Sequence, residues 1–394
     1  MDYEETHLEA RILVQKGEHD AALELYEGLI AEFPDKVELF HERANVWYVK
    51  GDLAKAVEDN TREIALSEGE DLVNALSVRA ARYDMLERYD EAAADYTRLM
   101  ELESGEIHWV TRRGVAYFDK GDLDAALADL ERAIEKEEKP WWALVHWGRI
   151  RGQRGDLEGA IADFTRTLSY RPDYAYALGQ RGYCRFTSGD QEGAEVDFSA
   201  ALELDPKDAW LWYSRGVCRW NRVKEYEDAA APAKDFSKAI ELDPNMTDAY
   251  LGRGNAYYVE AVEKMEWMKG IVMEAAKDEA ERLLLMEQLA HIGYPELIPR
   301  YNQTLVALRS QRTELDKMIL SASAMMAEDY VRDAMADLNR ALELDPASVK
   351  AYYFRGCCYE LVGDREKAAA DFRQTLALNP GHPHAGQKLS ELCG

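Results

Sequence analysis

Ala239-Ile240-Glu241-Leu242-Asp243-Pro244 and Ala341-Leu342-Glu343-Leu344-Asp345-Pro346 are one phrase written twice in the chain. Each closes on a proline, which a helix cannot run through. Working outward from them, a small residue recurs in the middle of each expected first helix, at Ala10, Ala44, Ala80, Gly114, Gly148, Gly182, Gly216, Gly254 and Gly356. Most of these steps are 34 residues. A second small residue follows twelve positions later at Ala22, Ala56, Ala92, Ala126, Ala160, Ala194 and Ala368, so that paired helices can approach closely. Four residues further on, Tyr26, Tyr96, Leu130, Phe164, Phe198, Phe236, Leu338 and Phe372 share one helical face with it. Glycine followed by an acid separates the two helices at Gly17, Gly51, Gly121, Gly155, Gly189 and Gly363, where a helix end favours glycine. Prolines close units at Pro34, Pro172, Pro206, Pro244, Pro346 and Pro380.

Period, landmarks and closing phrase together resemble the tetratricopeptide repeat. The resemblance implies an all-α superhelical solenoid of about nine helix-turn-helix repeats, with a C-terminal capping helix near Pro383–Cys393. Two places depart from the period. Four extra residues near Val223–Glu227 predict a longer turn in the seventh repeat. The 102-residue step from Gly254 to Gly356 inserts 68 residues into the eighth. Breakers are sparse there, confined to Gly270 and the cluster Gly293-Tyr294-Pro295 to Pro299, so a long antiparallel helical hairpin is favoured over two degenerate repeats. Tyr301, Leu305, Leu308, Leu315, Ile319, Ala322 and Met326 then supply a coiled-coil seam. The expected arm reaches ~45–50 Å at ~1.5 Å per residue. The organisation read this way is repeats one to seven and the first helix of repeat eight over 3–260, the arm over 261–327, the remaining repeats over 328–382, and the cap over 383–394.

Acids outnumber bases 75 to 48, a net charge of −27 that repels phosphate backbones and anionic lipid, so nucleic acid and membrane surfaces are poor partners. The arm holds ten acids and eight bases, which leaves nearly all of the charge on the repeats. With 9 Trp, 22 Tyr and 9 Phe, the chain reads as folded rather than disordered. Five cysteines without CxxC spacing, no apolar run of membrane length and no signal-like start predict a reduced, cytoplasmic protein.

In tetratricopeptide solenoids the first helices line the concave face, and the resemblance places ligand contacts there. On that face lie Phe118, Trp142, Val145, Arg149, Tyr176, Gly179, Tyr183, Phe186, Trp210, Tyr213, Val217, Trp220, Tyr258 and Tyr353. Aromatics at helical spacing read either as core or as a groove wanting an occupant. Three exposed rings, at ~150–250 Å² each, would match the largest apolar patch on an ordinary monomer. Arg151, Arg185 and Arg219 stand where Tyr83, Tyr117, Tyr257 and Tyr359 stand in other repeats. They read as secondary anion-binding candidates or as partners of nearby acids.

Arg43, Arg79, Arg113, Arg181, Arg215, Arg253 and Arg355 precede the small residue, while Asp59, Asp95, Asp129, Asp163, Asp197, Asp235, Asp337 and Asp371 precede the packing residue of the second helix. Pairing within each repeat is expected, with Asp163 left an orphan beside Trp147. Some family members clamp C-terminal carboxylates with Lys, Asn and Arg over their first three repeats. Here Asn45 matches, whereas His7, Arg11, Ser77 and Val78 do not complete the set.

No nucleophile elbow, phosphate loop or HExxH stretch occurs, so no enzyme, cofactor or metal is expected. Cys184, Cys218 and Cys358 sit where many repeats carry alanine and read as packed thiols, and Cys357 has no evident partner. His382 and His384 near Cys393 fit no zinc spacing. The reading is a protein–protein interaction scaffold or adaptor that takes a peptide or protein segment in an aromatic groove. A second partner or self-association through the arm stays open. The alternative is a dedicated chaperone or neutralising inhibitor that wraps a basic protein with its acidic surface.

Overall fold

A computed structural model describes residues 2–222, 230–275 and 314–393. Nineteen helices and no strand occur among the described residues. They fall into two compact units, Met1–Cys184 and Arg185–Gly394.

The first unit pairs α1 (Tyr3–Lys16) with α2 (His19–Glu32), α3 (Val37–Val49) with α4 (Leu53–Leu66), α5 (Gly69–Met85) with α6 (Tyr89–Leu102), α7 (His108–Lys120) with α8 (Leu123–Lys136), and α9 (Trp141–Gln153) with α10 (Leu157–Tyr170). The unit boundary falls inside α11 (Ala175–Ser188). The second unit continues with α12 (Gln191–Leu204), α13 (Ala209–Arg222), α14 (Ala230–Leu242), α15 (Thr247–Ala275), α16 (Glu314–Leu344), α17 (Val349–Leu361), α18 (Arg365–Leu378) and α19 (Ala385–Cys393).

The Gly-Asp turn does two jobs. Glycine takes the left-handed conformation that ends one helix, as at Gly121 with φ 89°. The aspartate after it caps the next helix, Asp122 accepting from the amide of Ala125 and Asp156 from that of Gly159. Close approach explains the mid-helix glycines. A Cβ on Gly216 would stand 2.8 Å from the Phe236 ring, and one on Gly356 2.8 Å from Phe372.

The arginine–aspartate expectation holds at six repeats. Arg43 grips Asp59, Arg79 grips Asp95, Arg113 grips Asp129, Arg215 grips Asp235, Arg253 grips Asp337 and Arg355 grips Asp371, each through two hydrogen bonds of 2.6–3.0 Å. The arginine also reaches back to the preceding repeat's second helix, Arg113 to Thr97 at 2.9 Å and Arg355 to Asn339 at 2.8 Å. The ladder therefore ties neighbouring repeats as well as the two helices of one. Asp163 is no orphan: Arg151 donates to it at 3.1 Å from one turn further along α9. Trp147 takes the arginine's usual place and lies under the Arg151 guanidinium, 5.4 Å away.

The eighth repeat's helices run to 29 and 31 residues, against 13 or 14 in most others. At the root of the extension Ala261, Met265, Ala327 and Val331 are buried, and the Tyr257 and Tyr330 rings lie 5.9 Å apart. The expected coiled-coil seam lies outside the described side chains, and the long turn at 223–227 outside the described residues. In α19, Leu389 and Leu392 cover Cys357, Ala368 and Phe372. This is the capping role expected of the C-terminal stretch.

Candidate functional site

In the first unit, α7 and α9 bring two arginines and two aromatics around one imidazole. Positions 142, 146 and 149 on α9 share a helical face. The face expected from sequence ran through Val145 instead. That residue is 1% exposed and belongs to the core, and His146 takes its place. Both Phe118 and Trp142 stand edge-on to the His146 ring, at 6.0 and 5.8 Å. Arg149 lies over Phe118 at 4.4 Å, and Arg112 over Trp142 at 4.3 Å. Each stack is a cation–π contact.

Arg149 Nη1 donates to His146 Nδ1 at 3.4 Å, which leaves the imidazole proton on Nε2. Burial, then the positive charges of Arg149 and Arg112, push the His146 pKa down to about 3. The ring is therefore neutral at physiological pH, and the positive charge of the cluster belongs to the arginines. Two carboxyls border them. Asp119 is held above the usual range by burial, against the pull of Arg149. Asp84 is raised by burial too, although it accepts from the Tyr96 hydroxyl at 2.7 Å, and its Oδ1 is buried without a hydrogen bond.

Beside this cluster α11 presents Tyr176 and Tyr183, 40% and 51% exposed. Next to Tyr176 runs a row of Tyr174, Trp141 and Arg171, with tilted and edge-to-face ring contacts at 6.0 and 5.6 Å and the guanidinium 4.6 Å over Trp141. Phe118, expected on the groove surface, is only 6% exposed. Arg149 and His146 lie on top of it, so it supports the surface without forming it.

The second unit uses its aromatics differently. Phe186 is half-buried. Trp210 stands edge-on to Phe198 at 6.1 Å, Tyr213 tilts against Phe236 at 6.0 Å, and Trp220 packs on Ala233 and Ala256. Tyr258 leans on Phe354 at 6.4 Å, and Tyr353 on His382 at 4.5 Å. All are half-buried and tied to the core of their repeats.

Arg151, Arg185 and Arg219, the expected anion-binding set, are spent inside the fold. Arg151 bonds Asp163, Arg185 bonds Asp197 at 2.8 Å, and Arg219 bonds both Glu195 at 2.8 Å and Asp235 at 2.9 Å. Where tyrosine stands in their place, the preceding arginine stacks on it, as Arg113 does over Tyr117 at 5.9 Å. Asn45, the single match to a carboxylate clamp, is occupied as well. Its carbonyl accepts from Arg82 at 2.7 Å, and Arg82 is itself 4% exposed and bonded to Asn60.

Sequence reading missed Arg112 and His146. The signal for Arg112 was the Arg112-Arg113 doublet, in which only the second residue follows the ladder. His146 gave none, because its role depends on the two rings that meet it in the fold.

Cys184, Cys218, Cys357 and Cys358 are buried free thiols whose pKa values burial raises. No group of three or more potential metal ligands occurs among the described residues. No described helix is long and apolar enough to cross a membrane.

Stacked helix pairs with a 34-residue period define a helical-repeat scaffold, a class of fold that holds other proteins. The chain belongs to the tetratricopeptide-repeat family, whose models match residues 7–71, 80–140 and 146–209, and again 349–382. Two curated relatives are named FK506-binding protein-like. The one from Mus musculus is 29% identical over 154 residues, 37% of this chain and 40% of its own length. The one from Homo sapiens is 29% identical over 82 residues, 21% of this chain and 23% of its own length. The chain thus spans less than half of these relatives. A solved tetratricopeptide repeat protein from Parabacteroides merdae is similar in fold, with a TM-score of 0.51 at 20% identity over 64% of this chain and 98% of that one. Proteins of this family bind protein or peptide partners and are generally non-catalytic.

Proposed function

We propose that this chain is an interaction scaffold whose first unit binds an extended or helical peptide segment on the face formed by α7, α9 and α11. The carrying observation is the pair of exposed tyrosines on one helix, Tyr176 and Tyr183; among the described residues only Tyr48 and Trp267 are aromatics of comparable exposure, and each stands alone on its helix. Rigid aromatic rings cost little side-chain entropy to order and bury much area, so they concentrate binding energy. Trp142, with Arg112 lying on it, extends the same face from α9. The second unit's rings, from Phe186 to Tyr353, contribute mainly packing. Their outer edges offer a lesser contact, and the arm over 261–327 offers a separate one.

Panning a random phage-displayed peptide library against the whole chain tests this. The wild type should enrich a peptide family that Trp142→Ala, Tyr176→Ala, Tyr183→Ala does not retain, provided that the variant's far-ultraviolet circular dichroism and Tm match the wild type. Enrichment of the same peptides by both proteins would sink the proposal.

The net charge of −27 favours a second reading, a chaperone or inhibitor that wraps a basic protein. That mode predicts an association rate that falls steeply with salt, since exposed charges are screened within about 8 Å at physiological ionic strength. Binding through Tyr176 and Tyr183 would be much less sensitive.

A further inference from the structure

We infer that Arg112 and Arg149 together receive a carboxylate on the bound peptide, which deepens the proposed reading and rests on it. Arg79, Arg113 and Arg151 in the same unit each hold an aspartate. Neither Arg112 nor Arg149 has a carboxylate oxygen within 4.0 Å among the described residues.

What they have instead are aromatic platforms, Trp142 under Arg112 and Phe118 under Arg149. A guanidinium that lies over a ring keeps in-plane N–H donors for an acceptor that approaches edge-on: Arg149 spends one of its donors on His146 and has the others left. That fork matches the two oxygens of a carboxylate. Both platforms stand against the one His146 ring, and both arginines are near enough to act on it, which groups them around that residue. The site also resists a second negative charge. Asp84 on α5 and Asp119 on α7 border it, Tyr174 and Tyr176 flank it from the α11 side, and His146 adds no positive charge. One carboxylate offsets two arginines beside two acids better than a phosphate dianion does. A polyanion would in addition meet the acidic body of the chain. An Asp or Glu side chain and a peptide C-terminus share this chemistry.

Three pools of random N-acetylated hexapeptides separate the sources: a central Glu with an amidated end, a central Gln with an amidated end, and a central Gln with a free carboxylate. Retention on the immobilised chain is read by mass spectrometry. The expected result is that at least one carboxylate pool is retained about ten-fold more than the Gln-amide pool. That advantage should disappear in Arg112→Gln, Arg149→Gln and survive in Arg132→Gln, which removes a positive charge from an exposed position on α8. Should the double variant fail to fold, Arg112→Gln alone, at an exposed side chain, must reduce the advantage. Equal retention of all pools by the wild type, or an equal loss in Arg132→Gln, overturns the inference. If retention is equal across pools yet vanishes in Trp142→Ala, Tyr176→Ala, Tyr183→Ala, the peptide face stands and the carboxylate fails. No retention of any pool removes both.

Discussion

Asp163 and His146 sit in one repeat and respond to pH in opposite senses. Asp163 receives a single guanidinium bond where Asp129 receives two, and burial lifts its pKa from 3.8 to about 6 despite Arg151. The folded state therefore holds this proton more tightly than the unfolded chain. The stability it contributes is fully present below pH 3.8 and is lost as pH rises through about 6. His146 behaves conversely. Its pKa falls from 6.5 to about 3, so its contribution is present above pH 6.5 and is lost as the unfolded chain takes up the proton at lower pH. Asp163→Asn should accordingly stabilise the repeat at pH 7.5, by about 1 kcal/mol after allowance for solvent screening, and do little at pH 4. Urea midpoints of both proteins at the two pH values check it, and an equal gain at both would contradict an origin in the ionisation of Asp163. Little of this was legible beforehand. Position 147 departs visibly from the ladder, but that Arg151 reaches back to Asp163 from one turn away follows from the fold of α9 against α10.

At the scale of the element, six helix pairs are braced by a half-buried arginine, which in the fourth repeat serves three neighbours. Arg113 bonds both oxygens of Asp129 and the Thr97 hydroxyl, and its guanidinium lies 5.9 Å from the Tyr117 ring. Removing one partner of a buried pair strands the other, which costs about 3–5 kcal/mol. Losing a single neutral hydrogen bond costs about 1. Arg113→Ala should therefore lower the urea midpoint several-fold more than Thr97→Val. Comparable losses would mean that the aspartate finds water or another donor. The helices and their turns were readable because Gly-Asp encodes a stop and a start in adjacent residues, and because a small residue every 34 positions has a packing cause at Gly216 and Gly356. Repeat three shows what a substitute looks like. It lacks the turn glycine, and Glu87 adopts φ 57°, the sole non-glycine in that region among the described residues.

At the scale of the whole molecule, period and charge were legible, and the proposed binding face was legible only in part. Tyr176, Tyr183 and Trp142 were on the expected face, whereas Phe118 is buried and the arginines at 151, 185 and 219 pair with acids of their own fold. The difference is one of partners. An exposed ring is recognised by what does not cover it, and the cover comes from helices 30 or so residues away in sequence, as Arg149 covers Phe118. Photo-crosslinking tests the central claim most directly. With p-benzoylphenylalanine placed at Tyr176, and in a separate protein at Arg132 on α8, a peptide selected by the wild type should crosslink at position 176 and not at 132. Crosslinking at 132 alone, or equally at both positions, would contradict a binding face on α7, α9 and α11.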